Sequence, residues 1–120
     1  MLHLSSLCNY YLCRQPADMR RGFDSLSGLV TMQLQMNVLN GSVFIFINKK
    51  RNQVKLLLWE GDGLAMYYKR LEKGTYELPV YSDENSSVSI SGQELQLILQ
   101  GISLQSVRKR KRYQHPGKTC

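Results

Sequence analysis

The stretch SVFIFINKKRNQVKLLLWEGDGLAMYYK, residues 42–69, decides the fold. Its opening run Ser42 to Asn48 is built from Val, Ile and Phe, the composition of a buried strand. Lys49, Lys50, Arg51 and Asn52 form a polar block that reads as a hairpin tip, and Val54 to Trp59 makes the return strand. Glu60, Gly61, Asp62 and Gly63 supply the next turn, with two glycines available where positive φ is needed. Leu64 to Lys69 is then a third strand. Loops this short join antiparallel neighbours, because a parallel pair needs a crossover of about a dozen residues or more. The centre of the chain is therefore a β-meander.

Downstream, Lys73 and Gly74 turn the chain into Thr75 to Val80, whose alternating Tyr76, Leu78 and Val80 predict a half-exposed strand, at an edge or ended by Pro79. A polar loop from Ser82 to Ser87 leads to a short strand at Val88 to Ile90. Ser91 and Glu94 have the spacing of a capping box, opening a helix that carries Leu95, Ile98, Leu99 and Ile102 on one face and ends at Gly101. Upstream, Cys8 to Arg14 reads as a strand stopped by Pro16, in an edge position. Asp18 is placed to cap a helix in which Met19, Phe23, Leu26 and Val30 draw an apolar stripe, extending to about Met36 with a break at Gly22. Asp24, three and four residues after Arg21 and Arg20, is placed to pair with them.

These elements add up to one α+β domain over residues 1–107: a mostly antiparallel sheet of about five strands, its apolar face covered by two helices. At 120 residues, 42% of them hydrophobic, the chain has material for one modest core. Residues 108–120 are different. They hold six of the sixteen Lys and Arg and none of the nine acids, so they read as a disordered basic tail on a nearly neutral body. Three cysteines cannot all pair within a chain, and no apolar stretch approaches the roughly 20 residues of a membrane span, so a cytoplasmic protein with reduced thiols is expected.

Catalytic groups are sparse. His3 and His115 lie in terminal segments, Cys8 and Cys13 would face opposite sides of a strand, and Gly61-Asp62-Gly63 joins two hairpin strands rather than a strand to a helix. A non-catalytic protein with neither metal nor cofactor is expected. The basic groups are more informative. Arg108, Lys109, Arg110, Lys111 and Arg112 form a run suited to phosphate, with a solvated tail as the competing reading. Lys49, Lys50 and Arg51 at the tip, an exposed Lys55, and Lys69 with Arg70 all come from one meander and are candidates for a single patch. Tyr67, Tyr68 and Trp59 are placed to stack on bases, or to pack across strands.

Two segments carry a resemblance: Asp18-Met19-Arg20-Arg21-Gly22-Phe23-Asp24-Ser25-Leu26, and Val54 to Gly63 running on to Tyr68-Lys69-Arg70-Leu71-Glu72-Lys73-Gly74. With the closing Glu94-Leu95 to Gly101-Ile102 segment, the chain from about Tyr10 to Ile102 resembles the accessory protein, often called TnpB or the second-open-reading-frame protein, of the IS 66 family of bacterial insertion sequences. It is unlike the RNA-guided nuclease of the same name, which is several times longer. Ser25 stands where a Gly is usual, and Leu78-Pro79 where many relatives have Trp-Pro. The resemblance implies a non-catalytic accessory protein of DNA transposition, with a separate transposase doing the cutting and joining. Its expected partners are the ends of the element's DNA, the transposase, or both. Arg20, Arg21, Lys55, Lys69 and Arg70 are the motif residues hardest to explain as core, hence candidates for that contact. Two alternatives stay open: an adaptor without DNA affinity, and a metal-dependent nuclease assembled in an oligomer from Asp18, Asp24 and Asp62.

Overall fold

Val43–Ile47 is buried at every position, and this decides how the rest of the chain is arranged. A continuous apolar run, unlike an alternating one, must be covered on both faces of its sheet. The computed structural model describes residues 8–79 and 87–100 and shows that covering. In chain order the elements are β1 (Tyr10–Cys13), α1 (Phe23–Met32), a single 3-10 turn (Val38–Asn40), β2 (Val43–Ile47), β3 (Gln53–Trp59), β4 (Leu64–Arg70), β5 (Ser87–Ile90) and α2 (Gly92–Gln100). They form one five-stranded sheet in the order β4-β3-β2-β1-β5.

Val43, Ile45 and Ile47 point into one core with Val54 and Leu56 of β3, Leu12 of β1, Ile90 of β5, and Leu95 and Ile98 of α2. Phe44 and Phe46 point into a second core with Leu57 of β3 and Leu26, Val30 and Leu34 from α1 and its exit. The two helices thus lie against opposite faces in three layers. The expectation of a single apolar face under both helices is corrected here, and the cause is the unbroken apolar run of β2. Cys8 and Cys13 do fall on opposite faces, each in a different core, and both are free thiols.

The meander β2-β3-β4 is antiparallel throughout, in unbroken register from Val43↔Leu58 to Ile47↔Val54 and from Gln53↔Arg70 to Trp59↔Leu64. β1 is not at an edge. It lies between β2, to which it is parallel, and β5, to which it is antiparallel. The connection from β1 to β2 through α1 is long enough for the crossover that a parallel pair needs, and Pro16, beyond the end of the strand, removes no ladder donor.

Two other boundaries differ from expectation. Helix α1 covers Phe23–Met32, ending short of Met36, with Gly22 as an N-cap that offers no side chain; the break at Gly22 is as expected, and Asp18 to Arg21 form a separate turn closed by the Arg21 N–H on the Asp18 carbonyl. The Asp18 carboxylate is turned onto Arg20, and the carbonyls of Met19 and Arg21 face the amine of Lys55, so this segment is held as a loop. Residues 75–79 are irregular rather than a strand. Tyr76 is an anchor there: its side chain is 1% exposed in the α2-side core, and its N–H donates to the carbonyl of Arg51 at 2.7 Å. The capping box is as expected. Ser91 Oγ accepts from the Glu94 N–H at 3.0 Å, and Glu94 Oε1 accepts from the Ser91 N–H at 3.1 Å. Val80, Gly101, Ile102 and the basic tail lie outside the described residues.

Candidate nucleic-acid interface at one end of the sheet

Strand direction places the basic side chains. β1 and β2 are parallel and β3 and β4 alternate with them, so the end of β1, the end of β2, the start of β3 and the end of β4 share one edge of the sheet. Arg14 follows β1. Lys49, Lys50 and Arg51 form the tip between β2 and β3, Lys69 and Arg70 end β4, and Lys73 lies just beyond. The Asp18–Gly22 loop, bearing Arg20 and Arg21, is tied to this end where the Ala17 N–H donates to the Ile47 carbonyl at 3.0 Å. With Lys55, these are all the Lys and Arg among the described residues. The acids Glu60 and Asp62 stand in the β3–β4 turn at the opposite end, and Glu94 opens α2 there.

The sequence leaves open whether the tip and the far end of β4 are neighbours; the register makes them so. Arg70 is paired with Gln53 and Lys69 with Val54, one strand spacing of about 4.8 Å away. The tip itself is rigidly built. Asn48 Oδ1 accepts from the N–H groups of Asn52 and Gln53 at 3.0 and 2.9 Å, and Asn48 Nδ2 donates to Asn52 Oδ1 at 2.7 Å. Leu71 N–H donates to the Asn52 carbonyl at 2.7 Å, locking the tip to the strand end beside it. Arg51 takes a positive φ of 60°, uncommon for a residue with a side chain, and presents its carbonyl to Tyr76.

Lys55, expected to be exposed, is buried. Only 7% of it reaches solvent, because the face of β3 on which it stands is covered from the α1 side. Its ammonium donates to the carbonyls of Met19 at 2.7 Å and Arg21 at 2.9 Å, and lies 4.6 Å from the ring centre of Tyr68. A buried ammonium is costly unless its donors are used; here two carbonyls and an aromatic face use it. Lys55 thus holds the loop that displays Arg20 and Arg21. Tyr68, 52% exposed, also donates from its hydroxyl to Gln53 Oε1, while Tyr67 packs on the α2-side core.

Exposed ion pairs temper the charge of this end. Arg20 holds Asp18 through Nε at 3.1 and 3.0 Å and through Nη2 at 2.7 Å, and its own N–H reaches Asp18 Oδ1 at 2.9 Å. These hydrogen bonds lower the Asp18 pKa to about 2. Arg70 lies 3.4 Å from Glu72. Asp24 is not the partner of the arginines: they precede the helix, and Arg21 Nη1 instead donates to Ser25 Oγ at 2.6 Å. Among the described residues, the acids Asp18, Asp24, Glu72 and Glu77 on these segments are outnumbered by the cations. Asp18 and Asp62 stand at opposite ends of the sheet, and among the described residues no group of three or more His, Cys, Asp and Glu could hold a metal ion. No described helix is long and apolar enough to cross a membrane.

The charges are legible in the sequence, but their convergence is not. Arg14 and Lys73 give no signal of their own, because each lies just past an element, where only the register shows which end of the sheet it shares. The run Arg108 to Arg112 lies outside the described residues.

A family model described as IS66 Orf2 like protein matches residues 8–109. Among curated proteins, the chain is 32% identical over 102 residues to the uncharacterised protein y4hO of Sinorhizobium fredii, covering 85% of this chain and 79% of that one. It is 32% identical over 106 residues to y4jC of the same organism, covering 88% of each. A third match, 31% identical over 98 residues, covers only 17% of a subtilisin-like proteinase, Spm1, of Pyricularia oryzae and carries no argument about activity here. No solved structure matches. The family match spans both motif segments and the sheet end they build, and the chain therefore belongs to the IS66 Orf2-like family, as an accessory protein of an insertion sequence.

Proposed function

We propose that this protein binds the DNA of its element through the basic end of the sheet, gripping phosphates without doing chemistry on them. The observation that carries the reading is the segregation of charge: every Lys and Arg among the described residues is at that end or holds a loop there. Phosphates are a repeating line of negative charge, and a rigid basic edge meets them with little demand on base sequence. The Asn48-braced tip and the Lys55-braced loop fix the backbone from which the cations project, so the ordering cost of binding is confined to their side chains. The transposase is the second expected partner, reached alongside the DNA.

Titration of labelled duplex by anisotropy at several salt concentrations tests this. Binding should weaken steeply with salt, and the slope should become shallower by about 0.9 for each phosphate that a variant no longer neutralises. Replacing Lys49, Lys50, Lys69 and Arg70 together by Ala should weaken binding to element ends and to unrelated duplex alike. Affinity that is absent, or indifferent to salt, sinks the DNA reading and leaves the adaptor.

A further inference from the structure

β4 is an outer strand of the sheet, and among the described residues no strand pairs with its outer edge. Glu60 N–H donates to the Gly63 carbonyl at one end of the β3–β4 ladder, and Leu71 N–H to the Asn52 carbonyl at the other. Antiparallel strands alternate between residues bonded inward and residues directed outward. The odd-numbered residues of β4 therefore bond to β3, while Leu64, Met66, Tyr68 and Arg70 direct their N–H and C=O groups away from the sheet. Among the described residues nothing meets them. The strand has seven consecutive one-to-one pairs with β3, no bulge and no proline. Leu64, Ala65, Met66 and Tyr67 are only half-buried. Edge strands are usually blunted by charge, proline or a bulge. Here the only charges are Lys69 and Arg70 at the far end.

We propose that this edge pairs antiparallel with β4 of a second copy of the chain, giving a two-fold dimer with a continuous sheet. The occupant is argued from charge. β4 is preceded by Glu60 and Asp62 and ends in Lys69 and Arg70, so it carries opposite signs at its two ends. An antiparallel copy sets each acidic turn beside the other copy's basic end, whereas a parallel copy sets like beside like. A two-fold contact is self-complementary by construction. The outward-directed residues are even-numbered and must meet each other, and the register centred on Met66 brings Asp62 opposite Arg70 of the second copy. The two-fold also turns the two basic ends in opposite directions. This inference does not depend on DNA binding.

Sedimentation of the full chain without DNA, from low to high micromolar, tests it. The wild-type protein should be dimeric. Met66→Pro removes an N–H unused in the single chain, a position where an edge strand tolerates proline. It takes two intermolecular hydrogen bonds from each dimer and should weaken the dimer roughly tenfold or more, with the circular dichroism unchanged. Should that variant misfold, Arg70→Asp should weaken the dimer and the double variant Asp62→Arg, Arg70→Asp should restore it. A wild-type chain that is monomeric at every concentration overturns the proposal. So does a dimer that survives Met66→Pro in a folded chain, or one indifferent to the charge reversal.

Discussion

Replacing Lys55 by Met removes an ammonium while keeping the length and apolar stem of the side chain. The loss is two hydrogen bonds from a charged donor, to the carbonyls of Met19 and Arg21, each with a net contribution of about 1.5–3 kcal/mol. The interaction with the Tyr68 ring adds about 1 kcal/mol. Against this, Met spares the desolvation of a charge that is 7% exposed, a cost of several kcal/mol. The balance is a destabilisation of about 2 kcal/mol, which for a domain of this size lowers the melting temperature by roughly 10 °C. Thermal and denaturant unfolding measure that total. Amide exchange measures where it acts: the N–H of Arg20, which bonds Asp18, and that of Arg21, which bonds the Asp18 carbonyl, should exchange much faster, while the β2–β3 ladder changes only with global stability. A variant within about 0.5 kcal/mol of the wild type, with the loop amides as protected as before, would refute Lys55 as the post of that loop.

The Asp18 carboxyl should titrate at about 2, because Arg20 bonds its charged form, and Arg20→Ala should return it toward 3.8. Its folded pKa lies below the unfolded one, so its contribution to stability is complete above the ordinary carboxylate range and is lost as pH falls from about 4 to 2. A carboxyl resonance that titrates normally in the wild type would remove the pair from consideration. Ser91→Ala should cost about 1 kcal/mol by uncapping α2, with the Glu94 amide losing exchange protection. An unchanged unfolding midpoint would mean that the cap is redundant.

The meander is legible because its loops are too short for any other connection and its composition is so strongly apolar. What stays hidden depends on pairing between distant segments. The place of β1 is set by Val43–Ile45 on one side and Ser87–Ile90 on the other, which its own residues do not encode. Asp18 has the residue type and position of an N-cap, and its Oδ1 does accept from the Arg20 N–H, but the turn it closes stops at Gly22 instead of running on into α1. Lys55 misleads through alternation: with Val54 and Leu56 directed inward, the residue between them reads as facing water. That reading holds only for a sheet with one bare face, and β2 shows that this sheet has none.

The two motif segments that carry the family resemblance are far apart in sequence, and the structure joins them. Lys55 belongs to the second and bonds the carbonyls of Met19 and Arg21 in the first, under the ring of Tyr68, which also belongs to the second. The motifs are therefore two halves of one device rather than two sites. Lys55 holds the Asp18–Gly22 loop against the sheet, Met19 of that loop packs on the core that contains Leu57 and Leu26, and Arg20, Arg21, Lys69 and Arg70 are left exposed to solvent. If the proposed DNA contact holds, a charge change at the presented positions should weaken duplex binding and leave the fold intact, whereas a change at Lys55 should damage both, because in that reading Lys55 acts on the DNA only through the arginines it positions.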